Sequence, residues 1–326
     1  MQTFLCAFLC TVGAVFLCGL FAVPVLKKVK AGQPILKYVK EHESKSGTPT
    51  MGGLFFILPC AAVFFAFGGW REKLATFSAA IGLFYMFVGF LDDFIKIKLK
   101  HNEGLKPYQK ILFQTAIAVL GGAFAYVNGL TAVYIPFVKK TAELGAFTIV
   151  LIAVVFIAIT NSVNLTDGLD GLCGGVSLWY AVFIAVIIGL ETGFDFSYIK
   201  SEESGGMLLL LFTLAGGILG FLIFNSPKAR VFMGDTGSLA IGGFLGAISV
   251  FSGNTLFVPI IGGAFVLSSL SVMIQVAHFK RTGKRVFLMA PFHHHLQMKG
   301  FTETQISFYY SLFTIITGTV SVIFYL

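Results

Sequence analysis

Charged side chains are scarce in this sequence: Asp, Glu, Lys and Arg make up 12% of 326 residues, while 56% are hydrophobic. Soluble domains carry about twice that share of charge. Together with a mean hydropathy of +0.88, this excludes a soluble globular chain. Charge is wholly missing from ten apolar runs, roughly 3–26, 51–69, 74–91, 111–127, 146–163, 174–190, 206–224, 237–252, 256–278 and 304–324. Uncharged runs of about 18 residues or more read as membrane-spanning helices. The stretch from Thr236 to Phe279 is long enough for two spans and divides at Ser252-Gly253-Asn254-Thr255, a cluster of turn formers. The expected fold is an all-α integral membrane protein of about ten transmembrane helices, forming one domain over residues 1–326.

Each further absence narrows the function. No ionisable Asp, Glu, Lys or Arg lies at mid-membrane depth, where ion-coupled transporters place them, which argues against a transporter or flippase. Discontinuous helices that bind ions through backbone carbonyls remain open. The five cysteines are odd in number, and Cys6, Cys10, Cys18 and Cys60 fall inside spans while Cys173 does not, so no disulfide framework is implied. The first span has no basic residues before it, unlike a signal peptide, and reads as a retained span. There is no internal repeat and no low-complexity linker.

The charge that is present is sorted by loop. The net charge of +8 follows membrane topology and is not a nucleic-acid signal. With the N-terminus outside, the inner loops 27–50, 92–110, 164–173, 225–236 and 279–303 hold 18 of the 23 Lys and Arg residues. A bias of that size sets orientation by the positive-inside rule. Both termini are expected outside, with the active site on the cytoplasmic face.

Five aspartates then share that face: Asp92 and Asp93 in FLDDF, Asp167 and Asp170 in NLTDGLDGL, and Asp235 in FMGDTGS. Carboxylates converging from distant parts of a chain suggest a metal-dependent site. Asp92 and Asp93 are adjacent, so on a helix they point about 100° apart and cannot share one role. Lys96 and Lys100 lie at i+4 and i+8 from Asp92, on its face if the helix continues past the membrane edge. An acidic–basic helix cap is the plainer alternative for this group.

In the loop 164–173, two carboxylates follow Asn161 and Asn164 with no basic residue among them. Amide and carboxylate groups together read a polar ligand such as a nucleoside; Asx-type capping is the alternative. Asp235 stands at the start of a span, where a helix N-terminus offers free N–H groups to an anion, and its carboxylate is a hard oxygen ligand suited to Mg²⁺. Plain N-capping is again the alternative. The segment SKSGTPTMGG (44–53) adds Lys45, Thr48, Thr50 and a Gly-Gly pair, compatible with a phosphate-holding loop or with a capped turn. The last inner loop carries Lys280, Arg281, Lys284 and Arg285, followed by His293, His294 and His295. Three adjacent histidines do not readily ligate one metal, so a grip on phosphate or sugar is the better reading. Thr302 with Gln305 forms a capping-box pattern that starts the last span.

Taken together, LDDF, NLTDGLDGL, NSPKARVFMGDTGSL and PFHHHLQMKG resemble the polyprenyl-phosphate N-acetylhexosamine-1-phosphate transferases. SKSGTPTMGG and the triple histidine resemble, within them, the phospho-N-acetylmuramoyl-pentapeptide transferases. The resemblance spans essentially the whole chain. It implies Mg²⁺, UDP-MurNAc-pentapeptide and undecaprenyl phosphate as cofactor and substrates, lipid I and UMP as products, a homodimer, and a bacterial cytoplasmic (inner) membrane location. It assigns Asp235 to the metal and Asp92 to the lipid phosphate, with Asp93 in support. Asn164, Asp167 and Asp170 fall on the nucleotide side, Asn225 and Phe232 near the uridine, and Thr50 beside the substrate. Lys45, Lys96, Lys100 and His293 hold phosphates. It also places a bend in the ninth helix, for which Pro259 and the Gly262-Gly263 pair are suitable. Two alternatives stay open: the same chemistry on another UDP-amino sugar, and a phospho-enzyme route in place of direct attack by the lipid phosphate.

Overall fold

The computed structural model describes residues 1–28, 47–99, 104–191 and 204–326. Lys45 and Lys100 lie outside the described residues. The helices are α1 (Gln2–Lys28), α2 (Gly53–Ala66), α3 (Lys73–Leu99), α4 (Pro107–Val127), α5 (Phe147–Thr166), α6 (Leu172–Glu191), α7 (Ser204–Asn225), α8 (Gly234–Phe251), α9 (Val258–Ile261), α10 (Gly263–Thr282), α11 (Phe292–Met298) and α12 (Glu303–Tyr325). Among the described residues, nine helices are long and apolar enough to cross a membrane. The protein is an all-α integral membrane protein.

Two expected spans take a different form. The second is only the 14 residues of α2, followed by a 3-10 turn at Gly69–Arg71. At 1.5 Å per residue that helix reaches about 21 Å, short of a hydrocarbon layer of about 30 Å. The ninth is broken as the resemblance implied: a 3-10 turn at Thr255–Phe257 leads into α9, and Gly262 separates α9 from α10. Pro59 sits within α2 and Pro259 near the start of α9.

The structure also contains a small β-hairpin that the all-α reading did not foresee. Strands β1 (Ala132–Ile135) and β2 (Lys140–Glu143) pair antiparallel with Ala132 opposite Glu143. Four-residue strands carry too little alternation to stand out in sequence. Tyr134 stacks on Phe257 at 6.1 Å and Phe137 meets Phe324 edge-on at 4.5 Å, so aromatic contacts fix the hairpin over the ends of α9 and α12.

Helix α8 is the hub. Every residue from Thr236 to Phe251 is buried, as befits a helix that is apolar on all sides and ringed by other helices. Helices α2, α3 and α5 pack directly on it. Close approach depends on Gly89 of α3: a Cβ there would lie 2.1 Å from the carbonyl oxygen of Asp235. That contact sets the end of α3 against the start of α8, and the two chain segments that meet there carry three of the five aspartates.

Candidate active site

Helix α3 continues past the apolar run to Leu99. Asp92 and Lys96 therefore share one helical face, and they form an i,i+4 ion pair. The other oxygen of Asp92 accepts the backbone N–H of Leu105 at 2.8 Å. Asp93 points elsewhere. Its carboxylate accepts the N–H of Asp235 at 3.2 Å, the N–H of Thr236 at 2.9 Å and the Thr236 hydroxyl at 2.6 Å. The first N–H groups of α8 are thus capped by a carboxylate from α3. The expectation that they are free to receive an anion is corrected by this geometry.

Asp235 is the centre of the charge cluster. One carboxylate oxygen meets Lys110 at 2.6 Å and Lys96 at 3.2 Å; the other accepts from the Asn164 amide at 2.8 Å. The same Asn164 amide nitrogen reaches the Ser238 hydroxyl at 2.9 Å. Asp92, Asp93 and Asp235 each offer an oxygen, and these atoms lie within 4.8 Å of one another. All donors are carboxylate oxygens, which suits a hard divalent cation.

The loop after α5 gives its two aspartates different surroundings. Asp170 is buried and accepts the N–H of Ala229 at 3.0 Å, tying the segment after α7 to this loop. Asp167 is half-buried. Burial, with the charges of Asp235, Asp93 and Asp170, holds its carboxyl well above the ordinary carboxylate range. Asn225 is buried and uses its whole amide within the protein: it accepts from the N–H of Gly171 at 3.1 Å and donates to the carbonyl of Val231 at 3.0 Å. Phe232 is half-buried, and its backbone pairs with Pro49 and Gly52 on both sides. That pairing brings the 49–53 segment to the site. A Cβ on Gly234 would lie 2.5 Å from an Asp93 oxygen and 2.7 Å from the hydroxyl of buried Thr50.

The three histidines go to three places. His293 is fully buried against Gly168, where a Cβ would fall 2.2 Å from its Nε2. Burial, reinforced by His294, holds His293 well below the ordinary histidine range, so the ring is neutral. His294 pairs with Gln297 at 3.1 Å. His295 lies between Phe287 and Phe292 and accepts the N–H of Leu288 at 3.2 Å.

Of the residues singled out in sequence, the structure brings Asp92, Asp93, Lys96, Asn164 and Asp235 into one hydrogen-bonded cluster, with Thr50 beside Asp93 and His293 against Gly168. Lys110, Thr236 and Ser238 belong to the cluster but carried no assigned role in the sequence reading. The signal for Lys110 was its place: it heads the apolar run of α4 as Asp235 heads that of α8.

The membrane helix bundle gathers carboxylates and lysines at one end, a set suited to a divalent cation and to phosphorylated groups. The model for "Glycosyl transferase family 4" matches residues 75–253, and a phospho-N-acetylmuramoyl-pentapeptide-transferase signature matches residues 45–57. The chain is 40% identical to the phospho-N-acetylmuramoyl-pentapeptide-transferase of Clostridioides difficile (strain 630) over 316 residues, covering 95% of this chain and 94% of that protein. It is 42% identical to the protein of that name from Clostridium novyi (strain NT), covering 91% and 89%, and 43% identical to that of Clostridium kluyveri, covering 91% and 92%. The chain belongs to the phospho-N-acetylmuramoyl-pentapeptide-transferase family.

Proposed function

We propose that this protein transfers phospho-MurNAc-pentapeptide from UDP-MurNAc-pentapeptide to undecaprenyl phosphate, forming lipid I and releasing UMP in peptidoglycan synthesis. It is a multi-pass protein of the bacterial cytoplasmic membrane. The bias of Lys and Arg toward the inner loops supports both termini outside and the aspartate cluster at the cytoplasmic surface. The observation that carries the reading is the meeting of Asp92, Asp93 and Asp235 with Lys96 and Lys110 at the ends of α3, α4 and α8, in a chain bearing the family's signature.

The carboxylate set fits Mg²⁺: Asp235 would hold it, with Asp93, which caps the start of α8, in support. When bound, Mg²⁺ supplies positive charge against the phosphates. The chain's own residues do the rest. Attack of one phosphate on another brings like charges together, and Lys96 and Lys110 offset that repulsion in a partly desolvated site. Lys45 and Lys100, outside the described residues, are assigned to the phosphates by the resemblance alone. Asp92 engages the lipid phosphate and receives its proton where one is present. Asn164 orients Asp235, and Asp167 faces the nucleotide side with Asp170, Asn225 and Phe232 shaping that wall. Neutral His293 offers one donor and one acceptor nitrogen. The lipid phosphate attacks the sugar-linked phosphorus, a P–O bond forms there, and the bond to UMP breaks. Like its resemblance, the reading includes a homodimer, testable by the mass of the solubilised particle.

The experiment is to incubate the purified protein with Mg²⁺, undecaprenyl phosphate and one of two donors. UMP release with UDP-MurNAc-pentapeptide is expected. Release with UDP-GlcNAc alone would overturn the proposal. Exchange of labelled UMP into donor without lipid would refute direct attack.

A further inference from the structure

The ring of His293 is fully buried, yet neither nitrogen has a hydrogen-bond partner among the described residues. Its own polar atoms therefore do not fix its place. The backbone that carries it does. Between α10 and α11, residues 283–291 form neither helix nor strand, so this strap lacks the hydrogen-bond ladder that would make it rigid. Two side chains of α10, one turn apart, supply what is missing.

Gln275 acts as a piece of backbone. Its Oε1 accepts the N–H of Val286 at 2.9 Å and of Phe287 at 3.0 Å, and its Nε2 donates to the carbonyl of Phe287 at 3.0 Å. All three amide contacts grip two consecutive strap residues. Ser271 accepts the N–H of Phe292 at 2.9 Å while donating to the carbonyl of Ser268 at 2.6 Å. Phe292 is the first residue of α11 and the immediate neighbour of His293. The strap thus runs back along α10, held at Gln275 and again at Ser271, and delivers His293 to Gly168. The base of the clamp is itself tied to the site: Ser269 donates to Ser162 of α5 at 2.6 Å, on the helix that carries Asn164.

We infer that Gln275 and Ser271 are positioning residues for His293, holding the α10–α11 strap so that the imidazole lies against Gly168. The inference rests on the proposed assignment of His293 to the substrate site. Neither residue lies among the aspartates and lysines of the cluster, and apart from the Ser271–Ser268 contact within α10 their hydrogen bonds go to the strap and the start of α11. A displacement of about 1 Å at a reacting centre costs on the order of 10²-fold in rate, which sets the scale of the effect.

The test is a double-mutant cycle on the full chain in detergent or nanodiscs. Gln275→Ala is expected to lower kcat by roughly 10²-fold, with the donor KM changed far less. Gln275→Glu keeps the oxygen acceptors and is expected to recover part of that loss. In combination with His293→Ala, Gln275→Ala adds little further loss, because both remove the same contribution. Where His293→Ala turns over too slowly for a steady-state assay, single-turnover UMP release at high enzyme concentration reads the same cycle. Ser271→Ala, the milder change, replaces Gln275→Ala if that variant does not fold. Wild-type kcat in both Gln275→Ala and Ser271→Ala would overturn the inference, as would losses that multiply in the double variant. Wild-type turnover in His293→Ala alone would instead remove His293 from the proposed site, a separate failure.

Discussion

The carboxylate of Asp93, near the end of α3, accepts both the backbone N–H of Thr236 at 2.9 Å and its hydroxyl at 2.6 Å, at the start of α8. A residue 143 positions away in sequence caps the central helix. The pairing places Asp235 beside Asp92, since each is the chain neighbour of a partner in it. Asp93→Ala orphans the buried N–H of Thr236 and weakens the start of α8. The expected cost is about 1–3 kcal/mol for each buried donor left without an acceptor, read as a lower melting temperature of the solubilised protein. Thr236→Val, which keeps the N–H contact, should lose less. Equal melting temperatures for Asp93→Ala and the native protein would sink this account.

Lys110 and Lys96 converge on one oxygen of Asp235. A cation there compensates charge as phosphates gather, but it also competes with a metal for the carboxylate. Lys110→Met is therefore expected to lower kcat on the order of 10²- to 10³-fold, the usual loss when one preorganised charge-stabilising donor is removed. The Mg²⁺ concentration for half-maximal activity should stay the same or fall. A titration in which that concentration rises instead would mean that Lys110 supports metal binding and does not compete with it.

Gly89 tests whether the α3–α8 contact sets the site. A methyl group there must displace the backbone of Asp235, and backbone cannot rotate away as a side chain can. Gly89→Ala should cost about 1–3 kcal/mol, the range for overpacking, and should abolish turnover by parting Asp92 from Asp235. Turnover near the native level with a native melting temperature would show that the helices have room to spare.

Much of this was legible because charge is rare in the chain. An aspartate at the end of an apolar run is conspicuous, so Asp92, Asp93 and Asp235 could be found without a structure. The break in the ninth helix was implied by the family resemblance, with Pro259 and the Gly262-Gly263 pair as suitable places for it. The residues alone said of Asp92 and Asp93 only that they must differ; the division of labour came from the resemblance. It depends on which of them meets Thr236, and that depends on Gly89, one of 37 glycines with no local mark. Lys110 was obscured for the same reason, being 125 positions from its partner. The clamp at Ser271 and Gln275 was invisible because small polar residues within a span read as tolerated, and their partners are backbone groups of a strap with no pattern of its own.

Asp167 carries the pH dependence that the site's crowding creates. Its carboxyl is raised well above 3.8 by burial and by the neighbouring Asp235, Asp93 and Asp170. Between that ordinary value and its raised one, the folded state keeps a proton that the unfolded chain has released. Stability therefore falls as pH rises through this window and levels off above it. Asp167→Asn removes the titration while keeping the shape. It is expected to melt at a higher temperature than the native protein at neutral pH, and at the same temperature in acid below about pH 4, where both forms are neutral. Lys110→Met deepens the like-charge crowding around Asp167, so the neutral-pH gain from Asp167→Asn should be larger in that background. Thermal melts of the four proteins at both pH values decide it: parallel curves for native and Asp167→Asn across the whole range would show that the carboxyl is not under strain.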